Sequence, residues 1–325
     1  MKPRVFVTRK LPPAVMEFLE KMFDLTCNPY DRVLSRQELL DGVSGIDGLL
    51  PLLTDRIDAE LMDRAGDRLK IIANYAVGYN NIDLEAATAC RIAVTNTPGV
   101  LTDTTADLTM ALLLGVARRI TESDAYTRSG KYQGWAPLLF LGTDVHLKTL
   151  GLMGFGRIGM AVAKRAAGFD MRILYTNDCQ VDPEVDKQFN ARCLDKETLL
   201  KASDFISIHV PLTPQTHHLM GAREFSLMKP TAYIINTSRG EVIDEQALVE
   251  ALKKGQIAGA ALDVYEHEPE IHPALLEMPN VLLLPHIGSA SLETRTKMGM
   301  IAARNLEVFF KGEIPPNCLN PRIFS

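Results

Sequence analysis

The sequence predicts two α/β units, each a doubly wound parallel sheet with helices on both faces, the second inserted within the first. Three observations predict it. Strand-like and helix-like segments alternate about every ten to fifteen residues in two separate stretches. The chain has 325 residues, the length of two domains rather than one. A G-x-G-x-x-G turn, Gly154, Gly156 and Gly159, stands between a strand-like Thr149–Met153 and a helical pattern over Met160–Ala167.

Arg4–Thr8 reads as a strand. Ala14–Phe23 reads as a helix opened by Pro12-Pro13, and Asp24–Cys27 as a short strand. Ser35 opens a helix with Glu38 three places on, a capping box. Ile46–Leu50, Lys70–Tyr75 and Ile92–Thr95 are strand-like, with helices at Asp58–Arg64 and Asp83–Cys90 between them. Asn96-Thr97-Pro98-Gly99 is a turn-rich joint and a candidate hinge. Thr102–Ile120 then reads as one long helix, and Ser129–Thr143, with the single Trp135, as looser chain. The second unit starts at Lys148. Its expected strands are Thr149–Met153, Met171–Tyr175, Phe205–His209, Ala232–Asn236, Gly259–Asp263 and Val281–Leu284. Asp244–Lys254 is a helix with an aspartate N-cap and Gly255 at its end. Leu292–Phe310 is a last helix, and the proline-rich tail after it is expected to fold back on the first unit. The expected domains are therefore 1–99 with 290–325, and 100–289.

Apolar residues make up 46% of the chain, enough for sizeable cores. Net charge is −5, from 35 basic and 40 acidic residues with no block of one sign, which argues against a nucleic-acid or membrane-surface partner. Five scattered cysteines (Cys27, Cys90, Cys179, Cys193, Cys318) without a C-x-x-C read as thiols, not as disulfides or a metal site. The N-terminus runs into a strand with no signal-peptide pattern, and no apolar stretch is long enough to span a bilayer. These features together predict a cytoplasmic protein.

The glycine turn follows a strand and opens a helix, the context in which such a turn binds a dinucleotide. The first glycine permits the turn, the second a close approach of backbone to pyrophosphate, and the third close helix–strand packing. The next strand ends Thr176-Asn177-Asp178. An acid at this point accepts from a ribose 2′-hydroxyl and meets a 2′-phosphate as like charge, so Asp178, beside Asn177, predicts NAD over NADP. A turn aspartate is the other reading. Val210 and Pro211, just past a further strand tip, suit the wall of an adenine site, and His209 reads as part of that wall. Three more tips carry Arg239 (in Asn236-Thr237-Ser238-Arg239-Gly240), Glu268 (in Asp263-Val264-Tyr265-Glu266-His267-Glu268-Pro269) and His286 (in Leu284-Pro285-His286-Ile287-Gly288). Each alone suits a salt bridge, a turn acid or a capped core histidine. Together, at the carboxyl edge of one parallel sheet, they are the parts that a carbonyl reductase needs.

The chain resembles the D-isomer-specific 2-hydroxyacid dehydrogenases, and among them the glyoxylate/hydroxypyruvate reductases. The resemblance runs along nearly the whole chain. It rests on Asn74–Asp83, on Asn96–Asp107, on the Gly154 turn, on Thr237-Ser238-Arg239-Gly240 and on Pro285–Ser289. Leu101–Ala106 and Gly312–Pro316 draw it towards the glyoxylate reductases. It implies a Rossmann NAD-binding domain inserted in a flavodoxin-like substrate domain, and NAD(P)-dependent reduction of a small 2-oxo acid to the D-2-hydroxy acid. It implies that Arg239, Glu268 and His286 are catalytic, with His286 as general acid/base, Glu268 orienting it and Arg239 holding the substrate. Val77 and Gly78 would bind the substrate carboxylate through their backbone N–H groups, and Leu50–Leu53 would shape that side. Thr104 and Thr237, Ser238 and Arg239 would line the nicotinamide. Asp263 would accept from its carboxamide, with His286 and Gly288 alongside. Phe155, Gly156, Arg157 and Ile158 would meet the pyrophosphate, and Thr216 would complete the cofactor loop. The cleft between the units would close about joints near Pro98 and Gly288. The helix from Thr102 and the loop through Trp135 resemble the family's dimer-forming arm, so a homodimer is expected.

Other readings share the fold. Phosphite dehydrogenases have a similar Gly130–Trp135 stretch, but a lysine is expected where Ala76-Val77 stand. A phosphoglycerate dehydrogenase of the short type, without a regulatory extension after Phe324, is a further alternative. A different class is an NAD-sensing corepressor, which can retain the arginine, glutamate and histidine. Formate dehydrogenase is disfavoured, because its longer N-terminus and insertions are missing.

Overall fold

The structure, a computed structural model, describes residues 1–178 and 181–325. It divides into two compact units, Met1–Leu101 with Ser289–Ser325, and Thr102–Gly288.

The first unit holds five parallel strands: β1 (Arg4–Val7), β2 (Asp24–Cys27), β3 (Gly48–Leu50), β4 (Ile71–Ala73) and β5 (Ala93–Thr95). Their order is β2-β1-β3-β4-β5, the flavodoxin-like order. Strand side chains alternate between two cores, because successive Cβ atoms point to opposite faces. Val5, Val7 and Ile71 face one core, where the helices Pro13–Met22 and Leu292–Phe310 supply Val15, Leu19, Ala302 and Leu306. Phe6, Leu49, Ile72 and Val94 face the other. The Ser35/Glu38 capping box is formed on the helix Arg36–Gly42. The tail returns to this unit and covers the edge strand: Leu319 N–H donates to the Val94 carbonyl (2.8 Å), and Asn320 bonds both the Val94 N–H (2.9 Å) and the Ile92 carbonyl (2.9 Å).

The second unit holds seven parallel strands: β6 (Thr149–Met153), β7 (Arg172–Thr176), β8 (Ala191–Cys193), β9 (Phe205–Ile208), β10 (Tyr233–Asn236), β11 (Gly259–Leu262) and β12 (Val281–Leu283). Their order is β12-β11-β10-β9-β6-β7-β8. This is the doubly wound Rossmann pattern with an added strand, and its winding reverses between β6 and β9. Here too both faces are buried: Ile173, Phe205 and Ile235 enter one core, Leu174, Ile206 and Ile234 the other.

The sequence reading does not place the short helices Pro183–Phe189, Lys196–Ala202, Ala222–Leu227 and Pro273–Glu277, and two further elements differ from it. The long helix ends at Ala117, and a separate helix runs Ile120–Arg128 after Arg119 in the left-handed region (φ 54°). The cause is tertiary. Thr143 N–H takes the Ala117 carbonyl (2.8 Å), and Gly142 packs against the same carbonyl, so that group is lost to the helical ladder. The edge strand β8 is not expected from the sequence, because three residues, of which Arg192 is exposed and the other two half-buried, are too few for a period to read. No helix among the described residues is long and apolar enough to cross a membrane. Cys27, Cys90, Cys193 and Cys318 are free thiols, and Cys179 lies outside the described residues.

Candidate active site

The glycine turn sits where β6 gives way to the helix Arg157–Ala166, at the reversal of strand order. Its three glycines meet three different demands. Gly154 has φ +94°, and a Cβ there would stand 2.9 Å from the His209 backbone at the tip of β9. Gly156 has nothing within 4 Å, the open approach a pyrophosphate needs. At Gly159 a Cβ would strike the Gly154 carbonyl, so this glycine sets how closely helix and turn pack. The helix opens with Gly156 as N-cap and no side-chain cap, which leaves its first N–H groups for an anion. Arg157 is exposed and Ile158 half-buried on that first turn, while Phe155 is buried and stacks on Tyr175 at 4.3 Å. These residues fit a dinucleotide.

Asn177 and Asp178 are both exposed just past β7. The Asn177 Oδ1 accepts from the Phe155 N–H (3.2 Å), so Asn177 braces the turn and leaves Asp178 as the carboxylate at this tip. Past β9, Val210 is half-buried and Pro211 exposed. The buried Thr216 donates to the Pro211 carbonyl (2.6 Å) and accepts from Thr213 N–H (2.8 Å), which shapes this loop from within. His209 is bonded to Ser207 (2.9 Å), and burial pushes its imidazole down to about 3, so it is neutral and structural. His218 pairs with Glu266 (2.6 Å), joining the loop after β9 to the loop after β11.

The tips of β10, β11 and β12 come together. His286 Nδ1–H donates to Glu268, 2.8 Å from Oε2 and 3.1 Å from Oε1. The other ring nitrogen, Nε2, is left on the opposite edge of the ring. Burial works against the Glu268 charge, but the hydrogen bond and charge of His286, the Tyr265 N–H (3.1 Å) and the Arg239 charge together hold its carboxyl below the usual range. Burial lowers the Arg239 guanidinium from its usual value, against the charges of Glu268 and Glu241. It remains a cation at neutral pH. His286 stands in the left-handed region at φ 54°, a conformation that surrounding structure must hold in place.

What holds it is visible on both sides. The buried Asp263 accepts from the Ile287 N–H (2.7 Å), and the Gly288 N–H also stabilises its charge. On the other side the Tyr265 hydroxyl donates to the Leu284 carbonyl (2.7 Å). Beneath, the helix Thr102–Ala117 offers two buried threonines. Thr105 donates to the Gly288 carbonyl (3.1 Å), and Thr109 to the Thr105 carbonyl (2.8 Å). Thr109 has only that one proton. In its 3.0 Å contact with Thr237, Thr237 must therefore be the donor, and it keeps acceptor capacity for a ligand. Thr104 is half-buried one residue before Thr105, and Ser238 bonds Asn236 through both N–H and hydroxyl (3.0 Å each).

In the first unit, Val77 and Gly78 lie in the loop after β4, both half-buried. The Ala76 carbonyl accepts from Thr97 N–H (2.9 Å), and the Val77 carbonyl from Asn96 Nδ2 (2.8 Å). Carbonyl and N–H of a trans peptide point opposite ways, so the Val77 and Gly78 N–H groups are turned together away from the β5 tip. A pair of aligned N–H groups suits an anion. Leu50 and Pro51 are buried, Leu52 half-buried and Leu53 exposed.

Sequence reasoning did not single out Tyr265, Gly240, Thr109 or Asn96, the residues that support these groups. Gly240 had a signal, since a glycine directly after a candidate arginine marks a close backbone approach. The roles of Tyr265, Thr109 and Asn96 depend on partners distant in sequence.

Residues 110–288 match the family model described as "D-isomer specific 2-hydroxyacid dehydrogenase, NAD binding domain". A glyoxylate reductase of Thermococcus litoralis is 53% identical over 100% of this chain and 99% of its own. A glyoxylate reductase structure from Paecilomyes thermophila superposes with TM-score 0.86 at 33% identity, covering 99% of each chain. An NADPH-dependent glyoxylate/hydroxypyruvate reductase of Sinorhizobium meliloti, in complex with NADP and malonate, gives TM-score 0.86 at 33% identity, covering 98% of this chain and 97% of that one.

Proposed function

The chain belongs to the D-isomer-specific 2-hydroxyacid dehydrogenases, and we propose that it reduces glyoxylate and hydroxypyruvate, with His286 as the acid and NADH as the preferred reductant. It is an oxidoreductase that binds a nicotinamide cofactor and acts on 2-oxo acids. The observation that carries the finer reading is the His286–Glu268 pair beside Arg239, at the edge of the sheet that bears the glycine turn.

The nicotinamide, when bound, supplies a hydride to the carbonyl carbon. His286 Nε2–H gives its proton to the carbonyl oxygen, so that hydride and proton together complete the hydroxy acid. In the reverse direction neutral His286 takes the hydroxyl proton. The Glu268 carboxylate fixes the ring through Nδ1–H and so sets which edge of it faces away. Arg239 presents a planar fork of donors to the carboxylate and carbonyl, where charge develops as the hydride arrives. The Val77 and Gly78 N–H groups are our choice for the substrate carboxylate. On the cofactor side, Thr237 would accept from the nicotinamide moiety and Asp263 would take its carboxamide N–H on a remaining lone pair. Asp178 would take the adenosine ribose hydroxyls, and its exposed carboxylate just past β7 is what supports NAD.

A homodimer is proposed through the stretch after Arg128. Trp135 is 84% exposed, and Leu138 and Leu141 are also exposed, an apolar run that a second copy would cover. The free thiols suit the cytoplasm as the compartment.

The test is a spectrophotometric panel of glyoxylate, hydroxypyruvate, pyruvate and phosphohydroxypyruvate, each with NADH and NADPH, and phosphite with NAD⁺. Highest kcat/KM with glyoxylate or hydroxypyruvate is expected. A faster reaction with phosphohydroxypyruvate or phosphite would replace the substrate assignment. In the same assay Asp178→Ala should shift the NADH/NADPH preference towards NADPH by about tenfold, the scale of one charged hydrogen bond. An unchanged ratio removes Asp178 from that role.

A further inference from the structure

Three strand tips must be kept in register for the proposed chemistry, and one residue, through its backbone and its hydroxyl, touches all three. Tyr265 follows β11 and is 5% exposed. Its backbone N–H donates to Glu268 Oε1 (3.1 Å), and its hydroxyl donates to the Leu284 carbonyl (2.7 Å), two residues before His286. Its carbonyl group lies so close to Gly240 that no side chain fits there, which brings the residue after Arg239 directly onto it. The hydroxyl bond matters most for His286. That residue has a left-handed backbone, and the segment 284–288 is held at one end by Tyr265 and at the other by Asp263 on the Ile287 N–H (2.7 Å). The Leu284 N–H is held by the Leu262 carbonyl (2.8 Å), so the Tyr265 hydroxyl is the contact on the other side of this residue, on the carbonyl that leads into the turn, and the 2.8 Å bond from His286 to Glu268 depends on the turn.

We propose that Tyr265 is a positioning residue: its hydroxyl, on the Leu284 carbonyl, locks the His286 loop to the Glu268 loop and so keeps the imidazole seated on the Glu268 carboxylate. This rests on the assignment of His286 and Glu268 above. The charged groups around the pair are Asp263 and Arg239, with Glu241 acting on Arg239, and none of them is altered when only the phenol oxygen is removed.

The experiment compares wild type, Tyr265→Phe and Glu268→Gln, with NADH and glyoxylate for reduction and NAD⁺ with glycolate for oxidation, across pH. Tyr265→Phe keeps the ring and loses one hydrogen bond, so kcat should fall roughly three- to tenfold. The decisive readout is the pH profile. A looser His286–Glu268 pair gives up its proton more readily. The alkaline fall-off of reduction and the acid fall-off of oxidation should then both move to lower pH, by about half a unit or more. Binding of NADH, followed by its fluorescence, should stay within about twofold of wild type. A merely structural role would lower the melting temperature and leave both limbs where they are. That result, or wild-type kinetics, overturns the proposal. If Tyr265→Phe does not fold, Tyr265→Leu, which loses the donor by a different side chain, is read the same way. Glu268→Gln separates the two levels. Limbs that move in Glu268→Gln but not in Tyr265→Phe reject Tyr265 alone, whereas limbs that move in neither reject the His286–Glu268 assignment beneath it.

Discussion

At the scale of single residues, the site is a charge arrangement whose members stabilise one another. Glu268 stays ionised despite burial because His286, the Tyr265 N–H and Arg239 all favour its charge. His286→Gln removes the proposed proton donor and should lower kcat by roughly 10²–10⁴-fold with little effect on NADH binding. Arg239→Lys keeps a charge but loses the fork, and kcat/KM should fall by about 10²-fold. Steady-state kinetics checks both, and near-normal turnover in either variant removes that residue from the mechanism. The depressed carboxyl of Glu268 also has a stability consequence. A carboxyl held lower in the folded than in the unfolded chain adds stability above its unfolded value, and loses it as pH falls through the folded one. Glu268→Gln should therefore melt below wild type near neutral pH, with the gap closing on acidification. A gap that stays constant down to about pH 3 contradicts this sign.

At the scale of elements, the glycine turn shows how packing and chemistry are shared. Gly159 sets the distance between the helix Arg157–Ala166 and the turn, since a Cβ there would strike the Gly154 carbonyl. Gly159→Ala should cost about 1–3 kcal/mol of stability by overpacking, and weaken NADH binding more than substrate use. Calorimetry and fluorescence titration measure the two, and a variant that binds NADH normally would show that the turn tolerates expansion. The spacing of these glycines was legible because backbone demands act locally. The break at Arg119 was not: it depends on Thr143 and Gly142 reaching the Ala117 carbonyl from more than twenty residues away. Edge strand β8 was missed for the opposite reason, as its three residues are too few for any period to show.

At the scale of the whole molecule, the chain leaves its first unit after Leu101 and rejoins it at Ser289. Each unit has its own pair of buried cores. The exposed apolar run around Trp135 belongs to none of these cores. Trp135→Glu combined with Leu138→Asp should weaken self-association by roughly 30-fold or more, as loss of central apolar anchors does. Sedimentation across a dilution series tests it, and an unchanged association constant would place the interface elsewhere. The sequence by itself determined the two parallel sheets and which residue types stand at their carboxyl edges. Alternating burial and turn chemistry are written into neighbouring residues, so they can be read without coordinates. Only the tertiary structure decided that Tyr265 reaches Leu284, that Thr109 orders the Thr237 proton, and that Asn96 and Thr97 turn two N–H groups the same way. Each of those is a directional hydrogen bond between separate segments, and its geometry exists only once the strands that carry the partners have been placed in order.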